Sequence, residues 1–275
     1  MKINRERCLK AFGEYVAAYD PADPKIALKV EHTYRVAELA EGIARDEGLA
    51  ADDIDLAWLC GLLHDIGRFE QVRRYGTFSD AKSVSHAALG VQVLIDEGHL
   101  RDFVDVGETG DGAAPADAQG VETGEFPGFI ATVVGTHSDY RLPEGLDGRT
   151  RMFCDIVRDA DKVDILKAVG EADLSSVLDV PMDEILAGSI SPAVRDAFYA
   201  HRTVKRAERS TATDIVVGYV CLLFEVVHPY GLRVASEQGY VWRLLGLPFT
   251  NPATAAEVAR MAEHLRKWMT DRLNA

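Results

Sequence analysis

The stretch WLCGLLHDIGRFEQ, Trp58 to Gln71, sets a histidine and an aspartate, His64 and Asp65, in the middle of an apolar run. Burying an imidazole and a carboxylate without partners costs several kcal/mol, on the order of 2 to 7 for a polar group and more for a charge. Such a pair is therefore expected either in a cleft or beside a partner, such as a metal ion, that satisfies both side chains.

Apolar residues recur at helical spacing along most of the chain. Leu9, Phe12, Val16 and Tyr19 are three or four residues apart, which is the spacing of one face of an α-helix. No sustained alternation of apolar and polar residues indicates strands. We therefore predict an all-α fold, a helical bundle with an additional C-terminal helical region. One helix is predicted at about 52–67 and four between about 182 and 272.

The 275 residues suffice for one helical core or for a core with an appended helical region. A soft boundary near Leu178–Pro181 divides a predicted histidine-bearing core, residues 1–180, from a C-terminal extension, 181–275, expected to pack on it. Residues 105–125, DVGETGDGAAPADAQGVETGE, contain no aromatic, lysine or arginine residue. This composition predicts a flexible acidic surface insertion.

Composition narrows the classes of partner. The net charge of −14 argues against the broad basic face that binds a nucleic-acid duplex. The four cysteines are scattered without a CxxC pair, so neither a zinc knuckle nor a disulfide framework is indicated. The N-terminal MKINRERCLKAF is charged where a signal peptide is apolar, and Glu225 interrupts the most apolar run. We expect a cytoplasmic protein without a membrane segment; a homo-oligomer is left open.

Four histidines and two aspartates have apolar or small neighbours at helical spacing, as His32 has in Val36 and Ile43. Singly, such a histidine is more often a hydrogen-bonded core residue, and such an aspartate is usually half of a surface ion pair. Six inward polar groups in one core must satisfy one another, and a metal centre does so at once. The set is His32, His64, Asp65, His86, His137 and Asp161.

This ordered set resembles the HD-domain superfamily of metal-dependent phosphohydrolases, whose signature is H…HD…D on a bundle of helices. The resemblance is most specific at GLLHDIGRFEQ and RDADKVDIL. It implies that a first metal ion is held by His32, His64, Asp65 and Asp161. It also implies that His86 and His137 bind a second ion, as in binuclear members, with Asp65 bridging the two. Thr136 stands where several binuclear members have a second adjacent histidine.

Such a ligand set suits hydrolysis. Two cations bridged by Asp65 can share a hydroxide and lower its pKa toward neutrality, which gives a nucleophile and makes Asp65 a predicted catalytic residue. Imidazole and carboxylate without thiolate favour iron or manganese, with zinc, nickel, cobalt or magnesium as further candidates. We therefore predict two divalent metal ions as cofactors.

The segment between the second and third histidines of the set, IGRFEQVRRYGTFSDAKSVS, is basic within an acidic chain. Arg68 lies one helical turn past Asp65 and can present a planar fork to a phosphate, so we predict it to be a catalytic residue. The same cations can instead pair with neighbouring acids on a solvated face. The predicted substrate-binding residues are Arg68, Arg73, Arg74 and Lys82.

The expected function is hydrolysis of a phosphate ester of a small metabolite, a nucleotide or a related compound. Two alternatives stay open. The resemblance extends to mixed-valence di-iron oxygenases, which use the same ligand order. A non-catalytic, metal-stabilised ligand sensor would need the ligands for stability alone, and an open coordination position argues against it. The basic segment favours a phosphorylated substrate without excluding an oxygenase.

Overall fold

The computed structural model describes residues 2–105 and 126–274. The insertion predicted at 105–125 lies outside the described residues except for Asp105. In the described ranges, helices and turns account for the regular structure and no strand is present. The predicted all-α fold is therefore confirmed. No helix in these ranges has both the length and the apolar character needed to cross a membrane.

The chain divides into two compact units, Met1–Ala160 and Asp161–Ala275. The division falls inside a helix, Gly148–Glu171, that runs without interruption across it. The boundary predicted from sequence lies further along the chain, at residues 180 and 181. Glycine and proline mark the ends of helices, so composition cannot indicate a division in the middle of one. That the C-terminal region packs on the core stays a prediction.

Helix α2 of the first unit shows how the local sequence sets the helix ends. Asp23 caps it by accepting a hydrogen bond from the backbone N–H of Lys25 at 2.8 Å, and Pro24 is its first residue. The helices of this unit are α1 (Arg5–Val16), α2 (Pro24–Asp46), α3 (Ala51–Leu63), α4 (Gly67–Tyr75), α5 (His86–Val91, continued by a π turn, Gln92–Asp96), α6 (Leu100–Phe103), α7 (Phe126–Thr136) and the first part of α8 (Gly148–Glu171), with a 3₁₀ turn at Asp80–Lys82.

Two glycines let the helices of this unit approach closely. Helices α2 and α3 form its most extensive pairing, and a Cβ on Gly61 would lie 2.8 Å from the Cα of Ala37. Helices α4 and α5 also pack together, and a Cβ on Gly67 would collide with the backbone of α5. These contacts bring the end of α3 and the start of α4 against both α2 and α5.

The second unit continues α8 and adds shorter helices whose apolar residues form a core of their own. The sequence predicted four helices between 182 and 272, and this number is wrong because the structure has six α-helices there. Short helices separated by a single glycine, such as Gly239 with φ of 77°, read as one periodic segment. The helices are α9 (Leu174–Leu178), α10 (Met182–Ala187), α11 (Pro192–Tyr199), α12 (Ala212–Val220), α13 (Pro229–Gln238), α14 (Tyr240–Leu245) and α15 (Pro252–Leu273), with 3₁₀ turns at Arg206–Glu208 and Cys221–Glu225.

Candidate metal centre

The histidine–aspartate pair lies at a break between two helices. Helix α3 ends at Leu63 and α4 begins at Gly67, so the continuous helix predicted at 52–67 is wrong. His64 and Ile66, on either side of Asp65, have right-handed helical backbone angles, and the carbonyl of Asp65 accepts a hydrogen bond from the backbone N–H of Arg68 at 2.9 Å. The break leaves both side chains, His64 and Asp65, buried together.

Two of the four histidines stand just past the ends of helices rather than inside them, contrary to the prediction. His64 follows α3 and His137 follows α7. In both, Nδ1 lies 2.7 Å from a backbone carbonyl three residues earlier, that of Gly61 or Val134. Such carbonyls at a helix end lack a partner inside the helix, so the imidazole supplies one. Because a carbonyl can only accept, Nδ1 carries the proton in both rings.

The other two histidines lie on helices, as predicted. His86 is the first residue of α5, and its Nδ1 lies 2.7 Å from Oδ2 of Asp80. Burial lowers the pKa of His86, so its ring is neutral at neutral pH and its single proton is on the nitrogen that faces the carboxylate. His32 lies within α2 and is buried.

Asp65 stands between two pairs of imidazoles. Its Oδ2 is 3.5 Å from Nε2 of His32 and 3.6 Å from Nε2 of His64. Its Oδ1 is 3.5 Å from Nε2 of His86 and 3.6 Å from Nε2 of His137. One carboxylate therefore offers a separate oxygen to each histidine pair, which is the arrangement of a bridging ligand.

Within each pair the Nε2 atoms face one another, at 3.3 Å for His32 and His64 and 3.0 Å for His86 and His137. Two nitrogen ligands of one ion, bonded at about 2.0 to 2.1 Å, lie roughly 2.9 to 3.4 Å apart in tetrahedral or octahedral geometry. In the second pair both Nδ1 atoms face oxygen atoms, those of Asp80 and Val134, so both Nε2 atoms can direct a lone pair at one ion.

The buried carboxylate also fits a metal. Oδ1 of Asp65 accepts no hydrogen bond from the described residues, although buried polar atoms are nearly always satisfied. The ligand atoms of His64, Asp65 and His137 all lie within 4.8 Å of one another. Burial alone would raise the pKa of Asp65, but the ammonium of Lys29, 2.5 Å from Oδ2, holds that pKa well below its ordinary value. The carboxylate is therefore ionised, as a ligand must be.

Asp161 and Thr136 are two further positions that the sequence singled out. Asp161 is the first residue of the second unit and lies within the continuous helix α8, and its ligation stays a prediction. The hydroxyl of Thr136 donates to the carbonyl of Thr132 at 2.8 Å, back along α7. Thr136, which stands where binuclear members of the superfamily have a second adjacent histidine, therefore directs its hydroxyl back toward its own helix.

Arg68 lies beside the centre. Its Nε is 3.5 Å from Oδ1 of Asp65, and its Nη1 donates to Gln71, to the carbonyl of Phe78 and to Asp80. The side chain is only 16% exposed. The contact with Asp80 joins Arg68 to the carboxylate that orients His86. Its predicted catalytic and substrate-binding roles stay predictions.

Within the described part of the chain, the other predicted substrate-binding cations have no contact with Asp65 of the kind that Arg68 makes: two pair with an acidic residue of α4 and one is exposed. Arg73 pairs with Glu70, and Arg74 donates to the same carboxylate at 2.7 Å. This is the pairing with neighbouring acids that the sequence left open. Lys82 is exposed on the 3₁₀ turn. Binding of substrate by Arg73, Arg74 and Lys82 stays a prediction.

The sequence did not indicate two side chains that contact the centre, Lys29 and Asp80. Lys29 precedes His32 by three residues, a spacing that would have placed it on the same face of α2. Asp80 lies within the basic segment, and nothing in the sequence indicates its contact with His86. Of the histidines left out of the predicted set, His201 and His264 contact each other at 2.8 Å in the second unit, and Nδ1 of His99 lies 2.9 Å from Oδ2 of Asp102.

The first unit is all-α and gathers four imidazoles around one buried carboxylate. This arrangement is typical of helical metal-binding proteins. Comparison of the sequence with family models then gives a match to the HD domain over residues 30–119. No curated protein and no solved structure gave a match. This match identifies an HD domain in that segment, which is about a third of the chain. The family indicates, in general terms, a metal-dependent phosphohydrolase that binds divalent metal, and the histidine and aspartate clusters could hold it.

Proposed function

We propose that this protein is a binuclear metal-dependent phosphohydrolase that cleaves a phosphate ester of a small metabolite, a nucleotide or a related compound. The observation that carries the proposal is the position of Asp65, which directs one oxygen to His32 and His64 and the other to His86 and His137. A single-metal site needs only one of these pairs.

The first ion would be held by His32, His64, Asp65 and Asp161, and the second by His86, His137 and Asp65. The donor set of imidazole and carboxylate without thiolate suits iron or manganese. When bound, such ions supply an activated hydroxide and polarise a phosphoryl oxygen. Backbone carbonyls accept hydrogen bonds from Nδ1 of His64 and of His137. These bonds orient both rings so that Nε2 is directed toward the centre.

The chain's own contribution to the substrate is positive charge. Arg68 lies next to Asp65 and carries a guanidinium that can stabilise negative charge on a phosphoryl group, and Arg73, Arg74 and Lys82 extend the basic segment. We include in the proposal a small phosphorylated partner rather than a nucleic-acid duplex or a membrane. A cytoplasmic location and a homo-oligomer stay predictions of the sequence.

The test is a steady-state assay on a panel of nucleotides and one aryl phosphate, run with and without oxygen on protein of matched metal content. We expect phosphate release that does not depend on oxygen, lost in Asp65→Ala and kept in the control Glu38→Ala, an exposed carboxylate on α2. Oxygen-dependent turnover without phosphate release would favour the di-iron oxygenase. Metal-loaded protein without turnover of any kind would favour the ligand sensor.

A further inference from the structure

Lys29, which the sequence did not indicate as a site residue, forms an ion pair with the central carboxylate of Asp65. The ammonium of Lys29, on α2, lies 2.5 Å from Oδ2 of Asp65, the oxygen that also faces His32 and His64. The Lys29 side chain is only 16% exposed. A lysine is seldom buried to this extent unless it is paired, so its position depends on a negative charge at the centre.

A second cation mirrors this contact on the other oxygen of the same carboxylate. Nε of Arg68 lies 3.5 Å from Oδ1 of Asp65. Both cations approach the ring of Phe78, each at 5.7 Å from the ring centroid. Phe78 therefore holds Lys29 and Arg68 together beside Asp65, and neither cation can move far without losing a favourable ring contact.

The charges around Asp65 do not balance once ions are bound. Asp65, Asp161 and the activated hydroxide would carry three negative charges, whereas two divalent ions and the Lys29 ammonium would carry five positive charges. Lys29 has no hydrogen bond to an acceptor other than Asp65 among the described residues. When Asp65 ligates metal ions, it no longer neutralises the ammonium of Lys29. A further anion bound beside Lys29 would then stabilise the buried positive charge.

We propose that Lys29 is a substrate-binding residue of the metal centre, and that its ammonium holds an oxygen of the substrate's phosphoryl group. This proposal rests on the proposed function and extends it, because it assigns the side of the centre from which the phosphate is held. In the metal-free chain, Lys29 has a second role as the cation that neutralises the buried carboxylate of Asp65.

The first test measures binding of inorganic phosphate to the Mn²⁺-loaded protein by calorimetry, without turnover. We expect Lys29→Met to bind phosphate about tenfold more weakly or worse, because one charge-assisted hydrogen bond is lost. Lys29→Arg should retain most of the affinity. The matched control is Lys25→Met, which removes the same charge one turn earlier on α2, where the lysine is exposed and donates to the carbonyl of Gly76. Equal affinity in Lys29→Met and Lys25→Met would overturn the proposal.

The second test compares thermal midpoints with and without metal. In chelator-treated protein we expect Lys29→Met to unfold about 5 °C lower or more, since the Asp65 carboxylate is left buried and uncompensated. Loading with Mn²⁺ should remove most of this difference, because the ions then supply the positive charge. A difference that is the same in both states would show that Lys29 stabilises the fold by packing alone, and would overturn the proposal.

Phosphate binding and phosphate release together distinguish a failure of the proposed function from a failure of the role of Lys29. Wild-type protein that holds metal but binds no phosphate would count against the proposed function, and against the role of Lys29 with it. Wild-type protein that binds phosphate and releases it from esters, while Lys29→Met binds phosphate normally, would overturn only the role of Lys29.

Discussion

Gly67 is the residue at which a single methyl group should disturb the centre most without touching a ligand. It begins α4, directly after the turn that carries His64 and Asp65. A Cβ at this position would overlap the carbonyl oxygen of His86 and the backbone nitrogen of Gly90, and would lie 2.9 Å from the Cα of Gly90. All three are backbone atoms of α5, so no side chain can rotate away.

The cost of Gly67→Ala follows from this geometry. Relief of the overlap requires α5 to move away from α4, and overpacking of this kind costs about 1 to 3 kcal/mol. The gain in helix propensity from glycine to alanine, about 0.5 to 1 kcal/mol, offsets part of it. Because three backbone atoms collide, we take the upper end of this range, a net cost of about 2 kcal/mol, and expect the thermal midpoint to fall by about 4 to 8 °C, at roughly 2 to 4 °C per kcal/mol for a chain of this size. Because His86 moves with α5, the second metal ion should also bind more weakly.

The assay is thermal unfolding together with metal content, on Gly67→Ala and on a matched variant, Gly13→Ala. Gly13 lies within α1 and has no atom within 4 Å of an added Cβ, so alanine there should leave the midpoint unchanged or raise it slightly. A Gly67→Ala protein that is as stable as Gly13→Ala and holds the same amount of metal would refute the close contact between α4 and α5.

Three further variants probe the surroundings of the centre. Asp80→Ala removes the partner of His86, so we expect the second ion to bind about 10- to 100-fold more weakly in a chelator competition; unchanged affinity would deny Asp80 this role. Arg68→Ala should lower kcat/KM for a phosphate ester by an amount equivalent to about 2 to 4 kcal/mol, and an unchanged rate would assign Arg68 to the structure alone. Glu70→Gln should cost about 1 kcal/mol of stability at neutral pH. Burial raises the pKa of Glu70, but Tyr19 and two arginines more than offset this and hold it below the ordinary 4.5, so the deficit should fade as the pH falls below that value. A deficit that persists in acid would contradict the ionic origin.

The sequence was sufficient for the fold class, whereas the ligand and substrate-binding roles of the site residues stay predictions. Helical spacing predicted an all-α chain, and the shared chemistry of the histidines and Asp65 predicted that they meet, as four imidazoles and one carboxylate do. Periodicity can show that a residue points inward. It cannot show that a helix stops, because His64 and Ile66 at the break keep nearly helical backbone angles.

The parts that the sequence could not supply depend on contacts between distant segments. Asp80 reaches His86 only because the chain between α4 and α5 folds back through a 3₁₀ turn. Lys29 meets Asp65 because α2 and α3 approach at Gly61, where a larger residue would hold them apart. The three-residue spacing places Lys29 on the same face of α2 as His32, but it does not indicate the partner of Lys29. Nothing local indicates the partner of Asp80 either, since both residue types also occur on solvated surfaces.

The most direct test of the account is the number of transition-metal ions per chain, measured by elemental analysis of protein purified without added metal. Because one carboxylate faces two histidine pairs, we predict about two ions per chain in the wild-type protein and loss of both in Asp65→Ala. A single ion per chain in protein that is fully active, or two ions that persist in Asp65→Ala, would contradict the binuclear centre.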